Sequence, residues 1–202
     1  MFDCIQVDGA FLSSLGAHLA SGGSLQMAWK SYQTTFYSIL AAAAQITHSR
    51  ANSRLNTLFL TFWDTDSATS KTCNRFFIPQ GQALKMRTQV GERRFPDSLD
   101  IDSLSEFYHR LVHAIGAANS MAHSPCLTST SYSHHGFIAA QDFESVPGQA
   151  SHSGINTFSS QLSVNLEGIG GAGGAGGVTA AFLTTYHDVM LEITAAGVTV
   201  AV

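Results

Sequence analysis

The stretch Leu55–Trp63, Leu-Asn-Thr-Leu-Phe-Leu-Thr-Phe-Trp, alternates with the period of two that only a strand can use. Leu58, Leu60 and Phe62 share one face; Leu55, Thr57, Phe59, Thr61 and Trp63 share the other. The first face is wholly apolar. The second combines aromatic residues with β-branched threonines, which suit a pleated surface. A strand this apolar on both sides is expected to be central and covered twice. Nine residues at roughly 3.3 Å each span about 30 Å, long for a strand. Upstream, Arg50 and Arg54 bracket a polar entry. The stretch predicts an inner strand of a β-sandwich.

The rest of the chain supplies partners for such a strand. Asp8 is placed to cap a short helix with Leu12, Leu15 and Leu19 at helical spacing, stopped at Gly22-Gly23. Thr34–Ser49 is expected to be mostly strand, despite the Ala41–Ala44 quartet. Asp64–Asn74 is a polar loop, closed by the short apolar piece Arg75–Pro79. Ala83–Val90 alternates again. The clearest helix follows Asp100 or Asp102, with Leu104, Phe107, Leu111 and Ile115 in helical rhythm, and Gly116 ends it. A long connection covers Ala117–His135, a strand Phe137–Phe143, and a loop Glu144–Gly154. Gln161–Leu166 turns Leu162, Val164 and Leu166 inward. After the glycine run Gly168–Gly177, Ala180–Thr194 and Val198–Val202 give two more strands, parted by Ala195-Ala196-Gly197. Many strands and no βαβ rhythm predict an all-β sandwich with one or two helices in the connections.

Composition bounds the function. The chain has 202 residues, enough for one well-formed core. Only 12% are charged, about half the usual share. A surface of Ser, Thr, Asn, Gln and Gly tolerates burial against other subunits, which favours an assembly. A net charge of −4 argues against coating nucleic acid. The local cluster Lys85, Arg87, Arg93 and Arg94 reads as a solvated strand and loop. Cys4, Cys73 and Cys126 are odd in number and lack metal spacing, so a reduced, intracellular setting is expected. The first residues carry neither a basic region nor an apolar run, so no signal peptide is expected, and no stretch approaches the ~20 apolar residues of a membrane span.

Candidate chemistry is thin. Gly168, Gly170 and Gly173 spell the dinucleotide-binding Gly-x-Gly-x-x-Gly, with Glu192 at the distance of a ribose-binding acid. Ser163, Asn165 and Glu167 make the preceding strand half polar, and the following segment is rich in β-formers. Too little chain remains for a doubly wound sheet. A loop between antiparallel strands is the better reading, with a dinucleotide-binding fragment as the alternative. His109 and His113 have the spacing of a two-histidine metal site, but no glutamate stands between them and no third ligand is obvious. His123, His134, His135, His152 and His187 show no ligand spacing, and no Gly-x-Ser-x-Gly elbow occurs. No catalytic, cofactor-binding or metal-binding residue is expected, and the chain is not expected to be an enzyme.

Three segments in order resemble a known family. Ser53-Arg54-Leu55-Asn56-Thr57-Leu58-Phe59-Leu60-Thr61-Phe62 opens the series, a long middle with a helix follows, and a glycine-rich hairpin leads into Leu183–Ile193 and Gly197–Val200. Together they resemble the second, C-terminal jelly roll of the double jelly-roll major capsid proteins of polinton-like viruses, adintoviruses and virophages. Trp29-Lys30-Ser31-Tyr32-Gln33 sits where that family leads into the second roll.

The resemblance implies a jelly-roll β-sandwich over residues 34–202 after a lead-in helix and connection over residues 1–33. It implies shell building, with trimeric capsomers, packing against other capsid subunits, no sequence-specific nucleic-acid binding, and a location in the virion after passage through a host cell. Only one roll is present, so the chain is expected to be a fragment or an endogenous viral copy. A trimeric jelly-roll recognition module is the other reading kept open.

Overall fold

In a computed structural model, the description covers residues 8–64, 76, 78–79, 83–97, 99–116, 127–134, 136–144, 153–169 and 178–201. Nine strands are described: β1 (Leu25–Ser38), β2 (Ala43–His48), β3 (Leu55–Asp64), β4 (Lys85–Val90), β5 (Arg93–Phe95), β6 (Ala139–Asp142), β7 (Leu162–Glu167), β8 (Val178–Thr194) and β9 (Gly197–Ala201). Three helices accompany them: α1 (Gly9–Ala20), α2 (Leu104–Ala114) and α3 (Ser129–His134).

The strands form two sheets. One has the order β1-β8-β3-β6, with β9 added to β8; the other has the order β2-β7-β4-β5. Every strand pairing is antiparallel. From β1 to β4 the chain changes sheet at each step, and it does so again from β5 to β8. First and last strands of the sandwich thus lie side by side, and the two Greek keys fold into a jelly roll. The expected all-β jelly-roll sandwich is the fold observed.

β3 is central, hydrogen-bonded to β8 on one edge and β6 on the other. Leu58, Leu60 and Phe62 are buried on its inner face, as the alternation requires. Leu55 departs from its expected face. A register shift against β8 between Leu55 and Thr57 inserts one extra residue, so Leu55 also turns into the core and is fully buried. Opposite them, β7 contributes Leu162, Val164 and Leu166, and β4 contributes Met86 and Val90. Phe62 stacks on Phe137 at 6.4 Å, and Phe107 of α2 meets Phe137 edge-on at 5.4 Å. α2 is thereby fastened beside β6 at the margin of the sandwich.

Local signals account for most element ends. α2 is capped by Ser103, whose hydroxyl accepts from the Glu106 amide at 3.3 Å; neither Asp100 nor Asp102 is the cap. The signal was the capping box Ser103-Leu104-Ser105-Glu106. The expected Thr34–Ser49 strand divides in two, because Ala41 and Ala42 bend the chain from one sheet to the other. β1 itself begins at Leu25, since fourteen consecutive residues pair with β8 without a break. Within the Ala117–His135 connection, α3 forms at Ser129–His134; residues 117–126 and 135 lie outside the described residues, as do most of the 64–74 and 144–154 loops. Gly168 is demanded by the fold: its φ is +72°, and a Cβ there would meet the Ala83 carbonyl oxygen at 2.1 Å.

Phe62→Ala is expected to lower the unfolding free energy by about 3–5 kcal/mol, because it empties a volume shared with Phe137. Chemical denaturation of the two proteins measures this, and an unchanged midpoint would contradict the central position of β3.

Candidate functional site

Three places in the fold concentrate functional groups. The first is the glycine run. Gly168 and Ile169 leave β7, and after residues outside the description the chain enters the 17-residue strand β8 in the opposite sheet. A dinucleotide turn needs a helix N-terminus facing the phosphates. Here the described chain beyond the glycines is strand, so the Gly-x-Gly-x-x-Gly spelling serves a crossing between sheets. Glu192 stands near the far end of β8, paired with Gln26 and Thr199.

The second is a cleft beside α2 and β6, lined by Glu106, His109, Arg110, His113, Asp142 and Glu144. The His109 and His113 rings lie nearly parallel, 4.4 Å between centroids. Arg110 pairs with Glu106 at 2.8 Å and donates to Gln141 Oε1 at 3.0 Å, so the guanidinium ties α2 to β6. Burial raises the Asp142 carboxyl above the usual range; the Glu144 charge adds to this, while the Glu144 amide, His113 and Lys30 oppose it. Among the described residues no group of three His, Cys, Asp or Glu side chains is placed to hold a metal ion. The cleft is an ion-paired margin of the sandwich. The basic cluster behaves similarly: Arg87 pairs with Asp100, and Arg93 lies over the Phe95 ring at 5.4 Å. Of the other histidines, the side chain of His134 and all of His123, His135 and His152 lie outside the described residues.

The third was not visible in the sequence. His48 ends β2 and His187 lies in β8; they occupy inner-face positions of opposite sheets and are 3% and 6% exposed. Among the described residues, His48 Nε2 and His187 Nδ1 have no hydrogen-bond partner. Burial lowers the pKa of both, and the Arg50 guanidinium lowers both further; Asp188 and a backbone bond at Thr185 partly offset this at His187. The Arg50 segment is held by Thr157, which accepts from the Asn52 amide at 2.8 Å and returns its own amide to the Asn52 carbonyl at 2.9 Å. Arg50, Asn52, His187 and Trp29 line one open groove there.

Apolar surface is the more conspicuous feature. On the outer face of the first sheet, Phe36 meets Phe182 edge-on at 5.4 Å and Trp63 meets Phe182 at 6.3 Å. Tyr32 and Phe36 of the edge strand β1 remain 74% and 59% exposed. Lys30 closes one end of this face, 5.6 Å over the Tyr186 ring and 3.3 Å from Glu144. The second face of β3, expected to be covered, is instead the middle of this half-open surface, with Phe59, Thr61 and Trp63 partly buried.

Comparison with solved structures matches this architecture. PBCV-1 VP54, from its crystal structure fitted into a cryo-EM reconstruction of the virophage Sputnik, superposes with a TM-score of 0.59 at 12% identity over 97% of this chain. The PBCV-1 virus capsid quasi-atomic model gives a TM-score of 0.55 at 13% identity over 89% of this chain. The fold is that of viral capsid jelly rolls. This chain spans about half the length of both, 55% and 52%. No family model matches the sequence, and no curated protein does. Among the described residues no helix is long and apolar enough to cross a membrane.

The paired histidines give this capsid-type jelly roll an acid sensitivity with a defined sign. Their folded pKa values lie below the ordinary 6.5, so both states are unprotonated at alkaline pH and the pair costs nothing there. As pH falls through about 6.5 the unfolded chain takes up protons first, and stability declines. The raised Asp142 acts oppositely, in the lower carboxylate range. Between about pH 7.5 and about pH 5 the melting temperature is expected to fall, and the double variant His48→Phe/His187→Phe to fall less. Parallel melting curves for the two proteins would remove the histidines as the cause.

Proposed function

We propose that this protein is a shell-building subunit of viral capsid type, acting by packing against copies of itself and other capsid subunits rather than by catalysis. The observation that carries the reading is the uncovered aromatic face of the β1-β8-β3-β6 sheet, with Tyr32 and Phe36 exposed on its edge strand. Exposed apolar patches of this kind mark interaction surfaces. A sheet edge left open needs a neighbour as well. The low charged fraction of 12% fits burial between subunits, because few ions must be desolvated. The likeness of the whole sandwich to the PBCV-1 capsid chains supports the same role.

In this reading the assembling unit is one jelly-roll domain over residues 34–202, with residues 1–33 leading into it, and three-fold capsomers are its first product. Its place is the virion, after synthesis inside a host cell. Nucleic-acid sequence plays no part in its recognition. The matched chains are about twice as long, and in this reading the chain corresponds to one roll of such a tandem pair.

Size exclusion with light scattering is expected to give a trimer or larger for the purified chain. The variant Tyr32→Asp/Phe36→Asp is expected to shift the mass toward the monomer with an unchanged melting curve, since both side chains are already exposed. A wild-type monomer at all accessible concentrations would contradict self-assembly. Trimers that never grow larger would favour the recognition module.

A further inference from the structure

A different apolar surface lies on the other side of the same sheet. β1, β8 and β9 run on past the sandwich in unbroken register, Met27 opposite Leu191, Leu191 opposite Val200 and Ile193 opposite Val198. Positions on the core-facing side of this extension are Met27, Trp29, Leu191, Ile193, Val198 and Val200. Positions on the reverse side are mixed, with Gln26, Lys30, Glu192 and Thr199 beside Ala28 and Met190. The wholly apolar side of an antiparallel sheet is the side that seeks cover. Here Met27, Trp29, Val198 and Val200 are 49%, 44%, 59% and 57% exposed. The extension is a ledge of core surface that no described residue covers.

The same chain carries a matching piece. α1 places Phe11, Leu12, Leu15 and Leu19 along one stripe, yet none of its residues is buried, and Phe11 and Leu12 are 58% and 57% exposed. Its turn into β1 is tightly defined. Ser21, Gly22 and Gly23 amides donate to Ala17, Leu19 and His18 carbonyls at 3.0, 3.1 and 3.0 Å, Gly22 has φ +87°, and the His18 ring occupies the space a Cβ on Gly23 would need. No residue of α1 is buried against its own chain. The helix, Gly-Ala-Phe-Leu-Ser-Ser-Leu-Gly-Ala-His-Leu-Ala, contains no Asp, Glu, Lys or Arg, so covering it desolvates no fixed charge. Lengths agree as well: twelve residues of helix reach about 18 Å, and six residues of β8 from Val189 to Thr194 reach about 20 Å.

We propose that α1 of one copy packs its leucine stripe on the β1-β8-β9 ledge of a second copy. Helix on sheet is an ordinary two-layer arrangement. The two surfaces differ, so one contact leaves a free helix at one end and a free ledge at the other. All are satisfied only by reciprocal exchange or by a closed ring. The contact deepens the assembly reading and rests on it only in requiring that copies meet; it is separate from the Tyr32–Phe36 face.

Two variants test it, Phe11→Asp/Leu12→Asp on the helix and Val198→Asp/Val200→Asp on the ledge, with circular-dichroism melts to confirm folding. Should the ledge pair fail to fold, Met27→Lys on β1 replaces it. Light scattering is expected to show each variant alone at a lower mass than the wild type. An equimolar mixture is expected to regain mass over either variant alone, because the helix variant still offers a ledge and the ledge variant still offers a helix. A wild-type oligomer whose mass neither variant changes would overturn this contact and leave the assembly reading standing. A mixture no heavier than its components would overturn it too. A monomeric wild type would overturn both.

Discussion

The pairing of β8 with β1 on one edge and β3 on the other holds this molecule together. Fourteen residues of β1 and nine of β3 are aligned on one 17-residue strand. This joins parts of the chain some 150 residues apart, and the alignment admits no slip. A one-residue shift would turn Leu183, Leu60 and Phe62 out of the core and Phe182, Phe59 and Trp63 into it. The β3–β8 ladder shifts register at its two ends, between Leu55 and Thr57 and between Trp63 and Asp64, and the first shift brings a fourth apolar side chain inward. The second sheet, the α2 cap and the crossing at Gly168 are all positioned by that frame.

A frame of this kind has consequences for chemistry. The interior is almost entirely aliphatic and aromatic, so the polar groups it does enclose are few and costly. His48 and His187 lie at inner-face positions of opposite sheets, and burial, reinforced by the Arg50 charge, lowers the pKa of both. Asn56 donates to the buried Asp188 at 2.8 Å. The two histidines tune stability with pH. Elsewhere, Arg110 pairs with Glu106 and Lys30 with Glu144. The apolar surfaces left exposed among the described residues are the aromatic outer face, the β1-β8-β9 ledge and the α1 stripe.

Both apolar faces belong to the same sheet, and this is a consequence of strand length. β8 is far longer than any strand of the second sheet, whose members have six residues or fewer. Among the described residues the extra length faces no covering layer, and the exposed ledge is the result. Surfaces of this type are stabilised by association.

Much of the architecture was legible from residue order. The alternation in Leu55–Trp63, Leu162–Leu166 and Ala180–Thr194 dictated strands and their inward faces, because a pleat leaves no other way to segregate apolar side chains. The absence of βαβ rhythm selected a sandwich, and the few charges with no catalytic spacing pointed to a structural role. Local capping at Ser103 was present in the sequence but lay just past the more obvious aspartates, Asp100 and Asp102. The tertiary structure alone decided the rest. Register inserts a bulge that reverses Leu55, and β3's second face proves to be outer surface, because covering depends on which strands reach it. The histidine pair forms only where β2 and β8 approach across the sandwich, from positions 139 residues apart. Which apolar faces stay bare follows from the unequal lengths of paired strands. Pattern along one strand prescribes which face seeks cover, and only the packed fold determines whether cover is there.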